Sequence, residues 1–188
     1  MVGCTACAPD AGNSRITGEY GSDGRLTKLS FDRDGNGAVD TWGYMDGPRV
    51  VRVEVDENGD GKPDRWEYHS EGGRGEQGAG APGSSAPTSP EAPDKTIERI
   101  ERATRHDGRV TRREFFEQGL LVRVEEDRDA DSRMDKWETY VNGALSMIAL
   151  DTEHRGTPDR RMIYGADGSF VRVEVDPAGT GSFAPVTP

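Results

Sequence analysis

The stretch VRVEVDENGDGKPDRWE, residues 51–67, joins two patterns that recur along this chain. Its first five residues alternate Val with charged residues, and this period of two predicts a β-strand with one apolar face. From Asp56 onward, oxygen-bearing side chains stand at alternate positions around a glycine turn. A second strand-like segment follows at Trp66. We therefore expect a strand, an acidic loop and a returning strand, which together form the unit of an antiparallel sheet.

The loop from Asp56 to Glu67 has the spacing of a calcium-binding loop. A hard divalent cation takes about six to eight oxygen ligands, supplied here by loop positions 1, 3, 5, 7, 9 and 12. Gly61 stands at position 6, where the backbone must turn sharply. The predicted ligands are the side chains of Asp56, Asn58, Asp60, Asp64 and Glu67 and the carbonyl oxygen of Lys62.

Two more segments repeat this ligand spacing. The loop from Asp127 keeps every ligand type and replaces only the turn glycine, by Ser132. The loop from Asp32 has Gly43 where the bidentate Glu belongs, so we expect it to bind more weakly. The predicted ligands are Asp127, Asp129, Asp131, Asp135, Glu138 and the carbonyl oxygen of Arg133 in one loop, and Asp32, Asp34, Asn36 and Asp40 in the other.

The acidic loops recur at a nearly constant period. Asp56 follows Asp32 by 24 residues, Asp151 follows Asp127 by 24, and Asp176 follows Asp151 by 25. The copies from Asp151 and Asp176 keep few of the ligand types, and their value is as evidence of repetition. A constant period in this range is typical of a repeat architecture.

The predicted fold class is all-β, with antiparallel hairpin repeats of about 24 residues that form thin meander sheets with Asp-rich loops. The apolar content of 32% and the mean hydropathy of −0.82 are too low for a thick core. Each strand is expected to bury one face and to expose charged residues on the other. A helical alternative, with Asp64 to Glu67 as a capping box, is disfavoured because Thr, Trp, Tyr and Val follow the loops.

The predicted organisation is two β-units joined by a linker rich in Gly, Ala, Pro and Ser. Residues 107–109 repeat the Asp-Gly-Arg of residues 23–25, which suggests that the second half restarts the design of the first in a separate sheet. Residues 97–105 fit either a short helix or a strand. The segments are a tether at 1–14, a first unit at 15–70, a linker at 71–95, a second unit at 96–183 and a tail at 184–188.

Charge and motif content exclude several function classes. A net charge of −11 argues against nucleic acid and anionic membrane surfaces as partners. The sequence has no G-x-S-x-G, P-loop or H-E-x-x-H motif, so we expect no enzyme and assign no catalytic residue. The three His residues stand far apart in the sequence and are expected at the surface.

Residues Met1 to Cys4 resemble the end of a bacterial lipoprotein signal, in which a Cys is lipidated. This resemblance implies a lipid anchor at Cys4 as the one attachment to a membrane. No apolar run approaches the roughly 20 residues of a transmembrane helix. The expected location is the cell envelope, through that anchor, or the secreted medium.

The three loops resemble EF-hand-type calcium loops held outside an EF-hand, as in thrombospondin type 3 and dockerin modules. The resemblance implies a Ca²⁺-binding extracellular or periplasmic protein. Besides calcium, we expect a protein or cell-envelope component as a partner. The alternative is a metal-free β-hairpin module, in which Asp and Gly only make turns and the Arg/Glu residues of the strands meet a protein partner. Position 12 separates the two, because turns do not need Glu67 or Glu138.

Overall fold

The computed structural model describes residues 15–70 and 96–186, which form a single antiparallel sheet of 13 strands. Each strand pairs with its neighbours in sequence, so the sheet is a simple meander. The strands are β1 (Ile16–Tyr20), β2 (Leu26–Phe31), β3 (Thr41–Asp46), β4 (Arg49–Val55), β5 (Arg65–His69), β6 (Ile97–Arg102), β7 (Arg112–Glu117), β8 (Leu120–Glu126), β9 (Lys136–Val141), β10 (Ala144–Leu150), β11 (Arg160–Tyr164), β12 (Phe170–Val175) and β13 (Ala184–Pro185). The all-β prediction and the spacing of the hairpin repeats are confirmed.

The helical alternative is wrong for the described residues, which contain strands and no helix. The ambiguous segment after residue 96 forms β6, and it pairs with strands on both sides. Gln118 and Gly119 form the turn of the hairpin made by β7 and β8. Both turn residues have positive φ, at 53° and 78°, which matches the right-handed twist of the flanking strands.

The expectation of two separate sheets is wrong, because β5 of the first half pairs with β6 of the second. Glu67 lies opposite Ile100, and the amide of Ser70 donates to the carbonyl of Thr96 at 2.8 Å. The tether at 1–14 and the linker at 71–95 lie outside the described residues. The predicted tail begins with β13, which pairs with β12, and its residues 187–188 also lie outside the description.

The meander places every acidic loop at one edge of the sheet, here called the loop edge. Successive strands reverse direction, so the connections that follow even-numbered strands share this edge, and those that follow odd-numbered strands begin and end at the opposite edge. The connections on the loop edge of the described sheet are loop 1 (32–40), loop 2 (56–64), loop 3 (103–111), loop 4 (127–135), loop 5 (151–159) and loop 6 (176–183).

Loop 3 was not recognised as a repeat from the sequence. Ala103 and Thr111 stand at its positions 1 and 9, where loops 1, 2, 4 and 5 carry Asp, and they are only 1% and 2% exposed. The parallel drawn between Asp107-Gly108 and Asp23-Gly24 is wrong, because the first pair lies on the loop edge and the second in a turn on the opposite edge. The Asp-Gly signal marks a tight turn and does not identify the edge.

The sheet is one layer, so its two faces are covered by their own side chains. Only a few apolar side chains are buried in the described strands, with Val124 of β8 at 0% exposure. The charged face is not exposed as expected: Glu54, Glu101 and Glu125 have side chains only 14%, 15% and 16% exposed. The reason is that arginine side chains on this face lie flat over aromatic rings and surround the carboxylates. Those stacks join Arg52 to Tyr44, Arg99 to Tyr68 and Arg123 to Phe115, at 4.2, 4.2 and 4.0 Å.

Candidate metal centre

Loops 1, 2, 4, 5 and 6 each begin with a buried carboxylate, and in loops 1, 2, 4 and 5 a second buried carboxylate stands at position 9. Their residues are between 2% and 8% exposed. The position 1 residues are Asp32, Asp56, Asp127, Asp151 and Asp176, and the position 9 residues are Asp40, Asp64, Asp135 and Asp159. Burial of charged groups at this density requires partners for every carboxylate.

Backbone amides of the same loop supply those partners. In loop 2, Asp56 accepts from the amides of Gly59 and Gly61, each at 2.7 Å. Asp64 accepts from the amide of Glu57 at 3.2 Å. Loops 1 and 4 repeat this pattern around Asp32, Asp40, Asp127 and Asp135. The first Asp therefore folds the loop around itself, and the last closes it.

Two positions in each loop have left-handed backbone, where the sequence predicted one. Position 6 has positive φ, as expected, both at Gly61 (85°) and at the exceptional Ser132 (75°). Position 4 also has positive φ, at Gly59 (76°) and at Ala130 (64°). Glycine at position 4 of loops 1 and 2 was the available signal for this second turn.

In loops 1 and 5, amide hydrogen bonds favour the ionised form of the first carboxylate. Burial alone would raise the pKa of Asp32, but the amides of Gly37, Gly35 and Asn36 outweigh it and hold the pKa below its ordinary value. The pKa of Asp151 is lowered in the same way, against burial, by the amides of its own loop. Negative charge is therefore concentrated at the loop edge at neutral pH.

Loops 1 and 4 each bring three predicted ligands together. The carboxylate oxygens of Asp32, Asp34 and Asp40 lie within 4.8 Å of one another, and those of Asp127, Asp129 and Asp135 do the same. In both groups the middle residue is exposed and the outer two are buried. This arrangement offers an oxygen-only donor set that opens to solvent on one side.

The remaining predicted loop ligands fix the local turns. Asn58 accepts from the amide of Asp60 at 2.8 Å, and Asp60 accepts from the amide of Lys62 at 2.9 Å. Asp131 accepts from the amide of Arg133 at 2.7 Å. In loop 1, Asn36 accepts from Ala38 at 2.7 Å and donates to Asp34 at 3.0 Å. Each predicted side-chain ligand of loops 1, 2 and 4 thus lies within its loop, except at position 12.

The position 12 glutamates lie on strands and have partners there. Glu67 of β5 forms an ion pair with Arg65. Glu138 of β9 is paired with Lys136 at 2.7 Å and accepts from the Tyr140 hydroxyl at 2.7 Å. Burial raises the pKa of Glu138, but Lys136 and Tyr140 outweigh it, so that pKa lies below its ordinary value. A bidentate role for either Glu requires it to exchange these partners for a cation, and it stays a prediction.

Neighbouring loops are in direct contact along the edge. The amide of position 1 donates to the carbonyl of position 9 in the preceding loop, as from Asp56 to Asp40 at 2.8 Å and from Asp151 to Asp135 at 2.9 Å. The same bond joins the other adjacent loops. The backbone hydrogen bonding of the sheet therefore continues through the acidic loops.

No protein-family model and no curated protein matches this chain. Across residues 15–70 and 96–186, no helix has the length and apolarity needed to cross a bilayer. The site therefore has to be interpreted from its own geometry.

Two histidines, expected only as surface residues, contact carboxylates of the preceding loop. His106 at position 4 of loop 3 places Nδ1 3.1 Å from Oδ2 of Asp64. His154 at position 4 of loop 5 places Nδ1 3.0 Å from Oδ2 of Asp129 and forms a three-residue group with Asp129 and Asp131. No local sequence pattern predicts these contacts, because each joins residues from different repeats.

Loops 3 and 5 show that the turn does not depend on a full ligand set. In loop 3 the Thr111 hydroxyl replaces the closing carboxylate and accepts from the amide of Thr104 at 3.1 Å. Loop 5 keeps its first and last Asp although Arg155 stands at position 5. Asp at positions 1 and 9 therefore has a structural use without any cation.

Proposed function

We propose that this protein binds Ca²⁺ through loops 1, 2 and 4, as structural ions along the loop edge. The observation that carries the proposal is the pair of three-carboxylate groups, Asp32/Asp34/Asp40 and Asp127/Asp129/Asp135, whose ligand oxygens lie within 4.8 Å of one another. Carboxylate, amide and carbonyl oxygens in flexible geometry are what calcium takes. Loop 2 has the same spacing, with Asn58 in place of one carboxylate.

Cation binding would stabilise the sheet for an electrostatic reason. The carboxylates of a loop repel one another at short distance, and an ion bound among them replaces that repulsion by attraction. A ligand that binds only the folded state adds to its stability in proportion to the logarithm of its concentration over Kd. From the number of ligands, we expect loops 4 and 2 to bind calcium more tightly than loop 1, because Gly43 stands at position 12 of loop 1.

A metal-free role is the second candidate, and loop 5 favours it. Asp151 and Asp159 hold that loop through amide hydrogen bonds, although Arg155 and Met162 stand at its ligand positions 5 and 12. In this alternative the acidic loops only connect strands, and the arginine and aromatic side chains of the sheet contact a protein partner. Calcium binding separates the two candidates.

The proposed location follows from affinity. Loops of this type bind calcium with Kd of about 10⁻⁵ to 10⁻³ M, which would leave them empty in the cytosol and filled outside the cell. We therefore place the protein in the cell envelope, lipid-anchored through Cys4, or in the secreted medium. The role is non-catalytic and involves no nucleic acid. The anchor stays a prediction, because Cys4 lies outside the described residues.

Terbium luminescence tests the proposal, because Trp42, Trp66 and Trp137 stand directly after the proposed loops, at position 11. A Tb³⁺ ion bound in a loop should take up excitation energy from its Trp, and added Ca²⁺ should displace the ion and remove the emission. Replacing each Trp by Phe should remove one part of the signal. Emission that calcium does not displace, or none at all, would favour the metal-free alternative.

A further inference from the structure

We propose a second kind of metal site, formed between loops 4 and 5 by Asp129, Asp131 and His154, that takes a divalent transition-metal ion of the zinc class. It is distinct in chemistry from the calcium loops because it includes an imidazole nitrogen. It does not require calcium to be bound, although Asp129 and Asp131 are also predicted calcium ligands of loop 4.

The geometry already brings the three donors together from two repeats. One nitrogen of His154 and one oxygen each from Asp129 and Asp131 lie within 4.8 Å of one another. The separation between His154 Nδ1 and Asp129 Oδ2 is 3.0 Å, close to the roughly 3.3 Å between neighbouring ligand atoms around a tetrahedral zinc ion. All three residues are exposed, so an ion reaches them directly from solvent.

The position of His154 is set by the backbone. Its φ of 54° is left-handed, as at the glycine or alanine at position 4 of loops 1, 2, 4 and 6, and its ring contacts Asp129 of the preceding loop. Loop 5 has Arg155 at position 5, where a calcium loop needs an oxygen. Loop 5 thus contributes a side chain to the site of its neighbour and does not hold a complete oxygen set of its own.

The donor chemistry determines the class of ion. Imidazole nitrogen suits zinc, copper, nickel and iron, whereas calcium and magnesium prefer oxygen. A zinc ion would replace the contact between His154 and Asp129 by two metal–ligand bonds, and Asp131 would supply a third. The three-carboxylate group of loop 1 includes no imidazole nitrogen.

His106 provides a matched control within the same chain. It also stands at position 4 of its loop, has φ of 55° and contacts a carboxylate of the preceding loop, Asp64, at 3.1 Å. In the described part of the chain it belongs to none of the three groups of residues that could hold a metal. Replacing His106 or His154 by Asn removes the imidazole, and Asn tolerates the left-handed backbone at these positions.

The test is a calorimetric zinc titration of the full chain carrying Cys4→Ser and Cys7→Ser in every arm, because thiolates bind zinc themselves. His154→Asn should weaken zinc binding by about tenfold or more, as loss of a ligand does, and His106→Asn should leave it unchanged. In the protein with both histidines, NMR should show the ring signals of His154 shifting with added zinc.

Calcium titration of the same samples separates this proposal from the proposed function. If the protein binds calcium and does not bind zinc, the zinc site of Asp129, Asp131 and His154, here called the mixed site, is overturned alone. If it binds neither ion, both proposals are overturned. Zinc binding that His154→Asn leaves unchanged, or that leaves the His154 signals in place, also overturns the mixed site, as it would identify an adventitious ion only.

Discussion

At the scale of single residues, the stability of the sheet depends on a few fully buried side chains. Val124 is in the middle of β8, with Glu114 and Glu138 opposite it on the two flanking strands. It has 0% exposure, whereas Val141 at the end of β9 is 55% exposed. A single-layer sheet has few such positions, so each one should matter more than in a two-layer fold.

Val124→Ala should therefore lower the free energy of unfolding by about 1.5–2.5 kcal/mol, through lost burial of two methyl groups and the space they leave. Val141→Ala is the matched control and should change it by less than about 0.5 kcal/mol. Urea denaturation of the three proteins gives both numbers. Equal effects at the two positions would mean that burial in β8 is not what holds the sheet.

Tyr140 offers a second test at this scale, in calcium-free buffer. Burial raises its pKa to about 12, with help from the hydrogen bond to Glu138 and from the charge of that carboxylate. A raised pKa means that the neutral phenol is favoured by folding, so its contribution to stability is complete below the ordinary pKa and is lost as pH rises through 12. The measurement is absorbance at alkaline pH, compared with Tyr140→Phe to isolate one of the five Tyr. Glu138→Gln should lower the pKa of Tyr140. An unchanged pKa in that variant would contradict the contribution assigned to the Glu138 carboxylate.

At the scale of elements, the loops are the repeated part that the sequence defines best. Loops 1, 2 and 4 were found from ligand spacing, and each of them connects two strands at the loop edge. In loops 1 and 4, three of the Asp carboxylates lie within 4.8 Å of one another. Loop 3 was missed because Ala103 and Thr111 replace the two Asp that mark a repeat. The contacts of His106 and His154 were missed for a different reason: they join separate repeats, and no local pattern reports which loops become neighbours.

Gly61→Ala tests the backbone of the loop in isolation from packing. A Cβ at Gly61 would meet no atom within 4 Å, but φ there is 85°. The expected cost is about 1–2 kcal/mol of stability from the left-handed backbone alone. Gly43→Ala is the control, since a Cβ there meets only Leu29 at 3.9 Å and φ is not positive. Chemical denaturation of both variants without calcium measures this cost. An equal loss of stability in Gly61→Ala and Gly43→Ala would show that the left-handed backbone at Gly61 is not its cause.

At the scale of the whole molecule, the sheet is continuous where two separate sheets were expected. The composition of residues 71–95 does mark a break in the repeats, but it carries no information on whether the strands on either side pair. Pairing of β5 with β6 gives Ile100 a neighbour on each side and leaves it 8% exposed. The strand pattern alone predicted the class and the period of the fold, and the joining of its halves depends on contacts that span the linker.

Cutting the chain between β5 and β6 tests that continuity. A site-specific protease sequence inserted within residues 71–95 should allow complete cleavage, and the two fragments should still elute together in size-exclusion chromatography. They should separate only when urea unfolds the sheet. Fragments that elute apart without denaturant would restore the two-sheet arrangement.

The most direct test of the central claim is a calcium titration of the purified full chain by calorimetry. We predict three bound ions per chain with Kd of about 10⁻⁵ to 10⁻³ M, and a melting temperature that rises with calcium. Asp34→Asn and Asp129→Asn should each weaken one site, while Glu153→Gln at the same position of loop 5 should change nothing. No calcium-dependent heat, with an unchanged melting temperature at millimolar calcium, would contradict the account and leave the acidic loops as turns.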